Sequence, residues 1–553
     1  MDDDRRVVAR HEVQPTGARY NGATPVPRKM RDRRLPTSTG GQVTEADAST
    51  TAGHDRDPPH KADENESRFD RVRHSVGLFL GPAVLLALWF LPMPALSVEA
   101  HRLAAIVGLV VVWWTTEAIP IPATALIGTA LTVVVGVATA QDAFAPFASP
   151  TIFLFIGSFI IGQAVTEHHL DRRMALSLLS LRGVRGNFGR IALVLGGFTA
   201  AVSAWMSNTA TTAMMVPIAL GVLNATSAGL RRDVRVTAPF LLSIAYSASV
   251  GGIITPVGTP PNLITLGLLD KLTGARIDFL SWMILATPIA IVLMVATLCL
   301  SGRRIAVAGG GGEIDDVEPA ARSSMPWTVG QRNCAVAFGV AVVLWITPGV
   351  LALVASPNAP VTRLVATRLD EAVVAVVAAG LLFLLPVSWR RREFTLGWSA
   401  AARIDWGTIL LFGGGLALGR LMFVTGLAAH IGQAVVAMSG AQSLWTVTAV
   451  SVGLAIVLTE VTSNTAATNM LVPVVISICQ AAGLNPIAPS VGTALGASMA
   501  FLLPISTPPN AIVYGTGLVP ITRMIRYGLL LDVIAFFVIV IGLRLLCPLL
   551  GFV

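Results

Sequence analysis

Two polar triplets, Ser207-Asn208-Thr209 and Ser463-Asn464-Thr465, interrupt long apolar stretches of this 553-residue chain. Each is followed some forty to fifty residues later by a Thr-Pro-Pro-Asn run, Thr259 to Asn262 and Thr507 to Asn510. These residue types suit ion binding better than bond making. Ser and Thr hydroxyls and Asn amides donate to an anion's oxygens, and their own oxygens ligate a small cation. Proline ends a half-helix and exposes backbone groups, and Gly258 lets backbone approach an ion closely. Exposed N–H groups at helix N-termini favour anions, whereas freed carbonyls coordinate Na⁺. The motif centres carry no Lys or Arg, so a buried anion there would depend on broken helices for neutralisation. No nucleophile–base pair recurs, and Cys299, Cys334, Cys479 and Cys547 stand singly with no Cys/His cluster. Enzymatic, metal and redox chemistry are therefore unsupported.

The elements that must position these residues are membrane helices. Mean hydropathy is +0.71, 54% of residues are hydrophobic and 13% are charged, as in an all-α polytopic membrane protein. Charge is concentrated at one end: residues 1–74 hold 27 of the 70 Asp, Glu, Lys and Arg, 14 basic and 13 acidic. That stretch reads as a disordered polar cytoplasmic tail. Its basic run from Arg28 to Arg34 could touch anionic headgroups, although a solvated tail without a partner is the plainer reading. The pI of 9.9 reflects loop arginines and does not argue for nucleic acid. No cleavable signal peptide is visible; the first apolar stretch, from about Val76, reads as a first span.

About eleven transmembrane helices are expected, near 76–97, 103–119, 121–139, 150–167, 236–254, 278–301, 333–353, 370–388, 407–425, 487–503 and 526–548. Two further stretches, 189–224 and 443–482, carry the triplets at their centres. Their arms, about 15 residues at ~1.5 Å each, are short for a crossing, so re-entrant hairpins fit better than spans. Arginine clusters at Arg71/Arg73, Arg172/Arg173, Arg182/Arg185/Arg190, Arg231/Arg232/Arg235, Arg303/Arg304, Arg390/Arg391/Arg392 and Arg523/Arg526 then all fall in the cytoplasm. The N-terminus is expected inside and the C-terminus outside. The two hairpins enter from opposite sides, which makes an inverted repeat. Thr151 to Gly162 matches Thr408 to Gly419, and the distances from Thr151 to Asn208 and from Thr408 to Asn464 are 57 and 56 residues.

From about residue 75 onward the chain resembles the divalent anion:sodium symporters (solute carrier family 13), which move dicarboxylates, citrate or sulfate. The resemblance rests on Trp113 to Leu126, on SNTAT from Ser207, on VGTPPN from Val257, on Leu458 to Thr468 and on STPPN from Ser506. It implies a homodimer in the cell membrane with scaffold and transport domains and elevator-type alternation of access. The scaffold would take 75–149 and 277–404, the two transport repeats 150–276 and 405–520, and a last helix 521–553. Carried over residue by residue, the first sodium site is Ser203, Ser207, Asn208 and Gly258, and the second Thr459, Ser463, Asn464 and Ser506. The family often has Ala or Gly where Ser506 stands; the expected ligand there is a carbonyl, so the departure matters little. Substrate would contact Asn208, Thr209, Thr259, Pro260, Asn464, Thr465, Thr507 and Pro508. Na⁺ is the implied coupling ion, with no other cofactor.

Ser203 and Thr459 each lie four residues before their triplet serine, one helical turn away on the same face. The bland alternative for such residues is a bond to their own helix backbone. Glu460, which borders the second triplet where Ala204 borders the first, reads as a proton or cation carboxylate or as a packing residue. Glu117 reads as a scaffold or interface residue, and His168, His169, Asp171, Arg172 and Arg173 as the start of an amphipathic arm. The resulting expectation is sodium-coupled import of a C4-dicarboxylate such as succinate, malate or fumarate. A sodium-independent exchanger, a citrate or sulfate carrier, and a transport-dead sensor working through the tail are the alternatives.

Overall fold

The computed structural model describes residues 61–179, 184, 187–226, 233–307, 326–356, 358–439 and 443–552. The basic run Arg28–Arg34 and the arginines at 182, 185, 231 and 232 lie outside the described residues. The chain divides into Met1–Glu64 and Asn65–Val553, and the second unit carries the packed helices.

Among the described residues, eight helices are long and apolar enough to cross a membrane: Arg71–Phe90, Val98–Thr116, Ala140–Glu167, Val234–Gly252, Phe279–Gly302, Val329–Ala355, Trp406–Val424 and Ile521–Leu550. Each falls on one of the expected spans. The other three expected spans are shorter helices, Ile121–Val134, Glu371–Leu384 and Ile487–Ala497, of 14, 14 and 11 residues. At ~1.5 Å per residue these reach only ~16–21 Å, against a hydrocarbon core of ~30 Å. Their ends have local causes. The first stops ahead of Gly136, whose φ is 74°. The second runs into a small antiparallel hairpin, β1 (Pro386–Ser388) and β2 (Glu393–Phe394), which the all-α expectation omitted. The third stops where the chain unwinds ahead of Thr507.

A second difference lies at the start. The first helix, α1 (Lys61–Phe90), begins inside the stretch read as tail. Residues 61–74 contain Lys, Ala, Glu and Arg and no Gly or Pro, so nothing stops the helix of the first span from extending backwards.

The elements that carry the motifs recur in order. In the first half they are α5 (Pro150–Glu167), α6 (Leu170–Leu179), α7 (Phe188–Ser203), α8 (Asn208–Asn224), α9 (Val234–Gly252) and α10 (Pro260–Thr273). In the second they are α16 (Trp406–Val424), α17 (Leu427–Ser439), α18 (Leu444–Thr459), α19 (Asn464–Ala481), α20 (Ile487–Ala497) and α21 (Pro508–Tyr514). The two halves touch through Phe155 of α5 and Phe412 of α16, whose rings lie 5.4 Å apart. Around them pack α11 (Phe279–Val307), α12 (Val329–Ala355), α14 (Glu371–Leu384) and α22 (Ile521–Leu546). A stack of Trp205, Phe279 and Trp345, at 6.1 and 5.0 Å between rings, ties the first triplet's tip to α11 and α12. Such aromatic contacts add about 0.5–1.5 kcal/mol each beyond area burial.

Candidate functional site

Both triplets sit where a helix stops and another begins. In the first half α7 ends at Ser203 and α8 starts at Asn208, with Ser207 at its N-cap. In the second, α18 ends at Thr459 and α19 starts at Asn464 behind Ser463. Both Thr-Pro-Pro-Asn runs also open helices, with Thr259 and Thr507 as N-caps and prolines in the first turn, where their missing N–H groups cost nothing. Four helix starts therefore carry the four motifs.

Twelve of the fourteen expected site residues line one cavity of about 430 Å³. Ser207, Asn208, Thr209, Gly258, Thr259 and Pro260 form one side, and Ser463, Asn464, Thr465, Ser506, Thr507 and Pro508 the other. Ser203 and Thr459 are fully buried behind it. The Ser203 hydroxyl donates to Asn208 Oδ1 at 2.7 Å, and that of Thr459 reaches Asn464 Oδ1 at the same distance. The bland alternative, a bond to the residue's own helix, is not what either makes. Thr459 also lies 2.7 Å from the Ala497 carbonyl, and with one proton it serves one acceptor at a time.

The unwound segments opposite the triplets are clamped alike. Asn262 Nδ2 donates to the carbonyls of Gly252 and Thr255 at 3.0 and 2.8 Å; Asn510 Nδ2 donates to those of Ala500 and Leu503, both at 3.0 Å. These fully buried asparagines were missed as site residues from sequence. Their signal was available: an amide at the same place after each proline pair. In the first half the Trp282 indole also holds the Ile253 carbonyl at 3.0 Å, and the Thr255 hydroxyl holds that of Ala204.

Gly258 shows why one lobe suits a cation. A Cβ placed there would lie 2.5, 2.8 and 3.0 Å from the carbonyl oxygens of Gly252, Ala204 and Ser203. Three oxygens thus converge on a space that only glycine leaves open, and the Asn208 amide lies against the neighbouring Gly252. Hard oxygen donors of this kind suit an alkali cation. The equivalent Ser506 instead turns its hydroxyl to Glu460, donating to Oε2 at 2.5 Å, with the Glu460 carbonyl 3.1 Å away. Glu460 Oε1 accepts the backbone N–H groups of Phe501 and Leu502 at 2.8 and 3.0 Å. Glu460 is therefore a polar bracket for the unwound segment.

Other residues find structural partners. Glu117 adopts a left-handed φ of 51° and pairs with Arg73 at 3.4 Å, while Arg73 also donates to the Val461 carbonyl. The second-span fingerprint thereby braces the second tip, as does Thr462, whose hydroxyl donates to the Trp114 carbonyl at 3.0 Å. The His168 ring bonds the Thr395 carbonyl at 2.6 Å. Arg403 and Asp405 also line the cavity, so one cation does stand in its wall. Arg403 is 62% exposed at its side chain and pairs with Glu167 at 3.3 Å. It lies outside every motif, five residues before the repeat segment that starts at Thr408, and gave no signal of its own.

Residues 73–553 match the family described as the sodium:sulfate symporter transmembrane region. A sodium-dependent dicarboxylate transporter of Staphylococcus saprophyticus is 31% identical over 501 residues, 88% of this chain and 94% of that one. An uncharacterised transporter of Haemophilus influenzae is 33% identical over 460 residues, 82% and 94% of the two chains. Among solved structures, the YdaH transporter of Alcanivorax borkumensis aligns with a TM-score of 0.50 at 15% identity, covering 77% of this chain and 89% of its own. MtrF of Neisseria gonorrhoeae aligns at 0.51 and 12% identity, covering 83% and 96%. The two structures bear on the fold alone.

Proposed function

Since the chain belongs to the sodium:sulfate symporter family, we propose that it imports a C4-dicarboxylate such as succinate, malate or fumarate together with Na⁺. The family and the relatives are transporters, not enzymes. The observation that carries the reading is the convergence of four helix starts on one cavity walled by hydroxyls, amides and carbonyls. Of these, the starts at Asn208 and Asn464 lead helices of 17 and 18 residues and still have N–H groups to offer. The Pro-Pro starts lack N–H donors in their first two positions, so they contribute shape and the Thr259 and Thr507 hydroxyls.

The division of labour follows from charge. A dianion in this cavity meets partial positive charges at Asn208, Thr209, Asn464 and Thr465, contacts Thr259, Pro260, Thr507 and Pro508, and gains full positive charge only from bound cations. One Na⁺ would sit among Ser203, Ser207, Asn208 and Gly258, and another among Thr459, Ser463, Asn464 and Ser506. Sodium binds first because it supplies the charge that the dianion needs. The reading includes two re-entrant hairpins, Phe188–Asn224 and Leu444–Ala481, in inverted orientation, a cytoplasmic N-terminus and an external C-terminus in the cell membrane. It also includes a homodimer of scaffold helices around a transport domain that moves as an elevator.

The test is uptake of radiolabelled succinate into proteoliposomes under an inward Na⁺ or an inward K⁺ gradient, with and without succinate inside. Na⁺-driven uptake into empty vesicles is the expected result. Uptake only into preloaded vesicles, indifferent to Na⁺, would make the protein an exchanger. Competition by citrate or sulfate stronger than by malate or fumarate would move the substrate class.

A further inference from the structure

The two unwound segments are pinned once more, at the same carbonyl in each. Asn262 clamps Gly252 and Asn510 clamps Ala500, and the next residue along, Ile253 or Phe501, offers its carbonyl to an aromatic donor. The Trp282 indole N–H donates to Ile253 at 3.0 Å, and the Tyr246 hydroxyl donates to Phe501 at 2.9 Å. Both donors are buried. The Met524 carbonyl lies farther from the Tyr246 oxygen, at 3.5 Å, so the single hydroxyl proton serves Phe501. The Tyr246 ring also meets that of Phe501 edge-on, with centroids 4.9 Å apart.

The two donors differ in origin. Trp282 belongs to α11, the helix that follows the first segment and α10. The corresponding helix of the second half, α22, sets Gly528 against Phe501. A Cβ there would lie 2.3 Å from the Phe501 carbonyl oxygen, which leaves no room for a donor side chain. The donor comes instead from α9, in the other half of the chain. This is the helix that ends at Gly252, whose carbonyl oxygen is one of the three around Gly258. Tyr246 lies six residues before that end, about 9 Å along the axis. Residues Val236 to Gly252 are all buried, and a Cβ on Gly251 would lie 2.2 Å from the Ala200 carbonyl oxygen of α7. A helix packed this closely on every side transmits displacement along its length. Its C-terminus stands in the first lobe. Its Tyr246 holds the Phe501 peptide, whose N–H shares the Glu460 side chain with the Ser506 hydroxyl of the second.

We propose that Tyr246 couples the two cation sites: α9 carries the state of the first to the unwound segment of the second through the hydroxyl bond to Phe501. Tyr246 is a positioning residue, since it stands outside the residues that line the cavity. The proposal rests on the symport reading and deepens it, because it makes sodium binding cooperative before substrate arrives. Coupling between two sites typically changes affinity by about 5–150-fold.

The experiment uses full-length protein, with Tyr246→Phe and Trp282→Phe beside the wild type. Binding of radiolabelled Na⁺ to purified protein is titrated without succinate, with choline holding the ionic strength. Na⁺ activation of succinate uptake is measured alongside in proteoliposomes. The wild-type isotherm is expected to have a Hill slope of about two. Tyr246→Phe keeps the ring and removes the donor; it is expected to bring the slope to about one and to raise half-saturation about fivefold. Trp282→Phe removes an equal bond from the first segment without cutting the link, so it is expected to raise half-saturation and keep the slope. A role confined to stability would lower the melting temperature of the sodium-free Tyr246→Phe protein and leave its slope at the wild-type value, which overturns the proposal. So does an equal loss of slope in Trp282→Phe. If Tyr246→Phe does not purify folded, Phe501→Leu, which keeps the carbonyl and loses the ring that Tyr246 packs on, is read in the same way. A wild type that neither binds Na⁺ nor uses it for uptake would overturn the symport reading first and this proposal with it; Na⁺-driven uptake with non-cooperative binding overturns this one alone.

Discussion

The two lobes proposed as cation sites share a backbone and differ in what surrounds it. In both, a hydroxyl one turn before the triplet reaches the triplet asparagine at 2.7 Å, and an asparagine amide clamps two carbonyls of the facing unwound segment. The first lobe is then finished with backbone oxygens alone, around a glycine that leaves room for them. The second is finished with the Glu460 carboxyl, which ties Ser506, Phe501 and Leu502 together. The two bends therefore share a geometry while the groups around them differ. In the proposed reading a cation in the second lobe would have the Glu460 carboxyl for a neighbour, whereas one in the first would meet only amide, hydroxyl and backbone carbonyl oxygens.

The shared part of the comparison breaks first if the triplet asparagines prove dispensable. Asn208→Ala and Asn464→Ala each remove a side-chain oxygen from a cation and an amide from the dianion. Both are expected to abolish Na⁺-dependent uptake, a loss of about a hundredfold or more, while the protein still purifies folded. Transport unchanged in either variant would refute that lobe. The divergent part is sharpened by a smaller pair. Gly258→Ala drives a Cβ into three carbonyl oxygens within 3.0 Å and is expected to weaken Na⁺ activation about tenfold or more. Ser506→Ala adds no atoms and removes one hydroxyl from Glu460, so about threefold is expected. If the serine variant is the worse of the two, the second lobe depends on its hydroxyl and not on its carbonyl.

What could be read from the sequence follows the range of the interaction. Triplets, proline pairs and the one-turn spacing of Ser203 and Thr459 are local patterns, and the structure brings those residues to one cavity. Long apolar helices are local as well, and eight of them fall where hydropathy puts them. The three that proved short were hidden because apolar composition continues past the point where backbone geometry stops the helix, as at Gly136 and at Pro386. The bracket was hidden for a different reason. Glu460 meets Phe501, Leu502 and Ser506 from 41 to 46 residues further along the chain, and its own neighbours in sequence announce none of them. Arg403 escaped likewise, since the cavity wall it joins is assembled from segments far apart in the chain.

The clamping asparagines test whether the matched backbone matters in itself. Asn262→Ala and Asn510→Ala each free two buried carbonyls from an amide donor. Each should cost about 1–3 kcal/mol, read as a lowered melting temperature in detergent. Because the clamps are alike, the two costs should agree within about a factor of two. A large loss at Asn510 alone would mean that the first segment is held chiefly by Trp282 and Thr255.

The smallest expected effect bears on whether the halves or the cavity wall grip the anion. Arg403 is the one full positive charge among the cavity's lining residues, but its side chain is mostly exposed and already paired with Glu167. An exposed guanidinium is screened within ~8 Å at physiological salt and contributes little as a pair. Arg403→Gln is therefore expected to raise succinate half-saturation about twofold at low ionic strength, with the difference vanishing as salt is added. The measurement is uptake at constant Na⁺ with ionic strength varied by a choline salt. A rise above about tenfold that persists at high salt would mean that the dianion is held by a side-chain cation buried in the loaded state. The symmetric helix starts would then serve to orient the substrate, and the neutralising charge would come from the segment that precedes the second half.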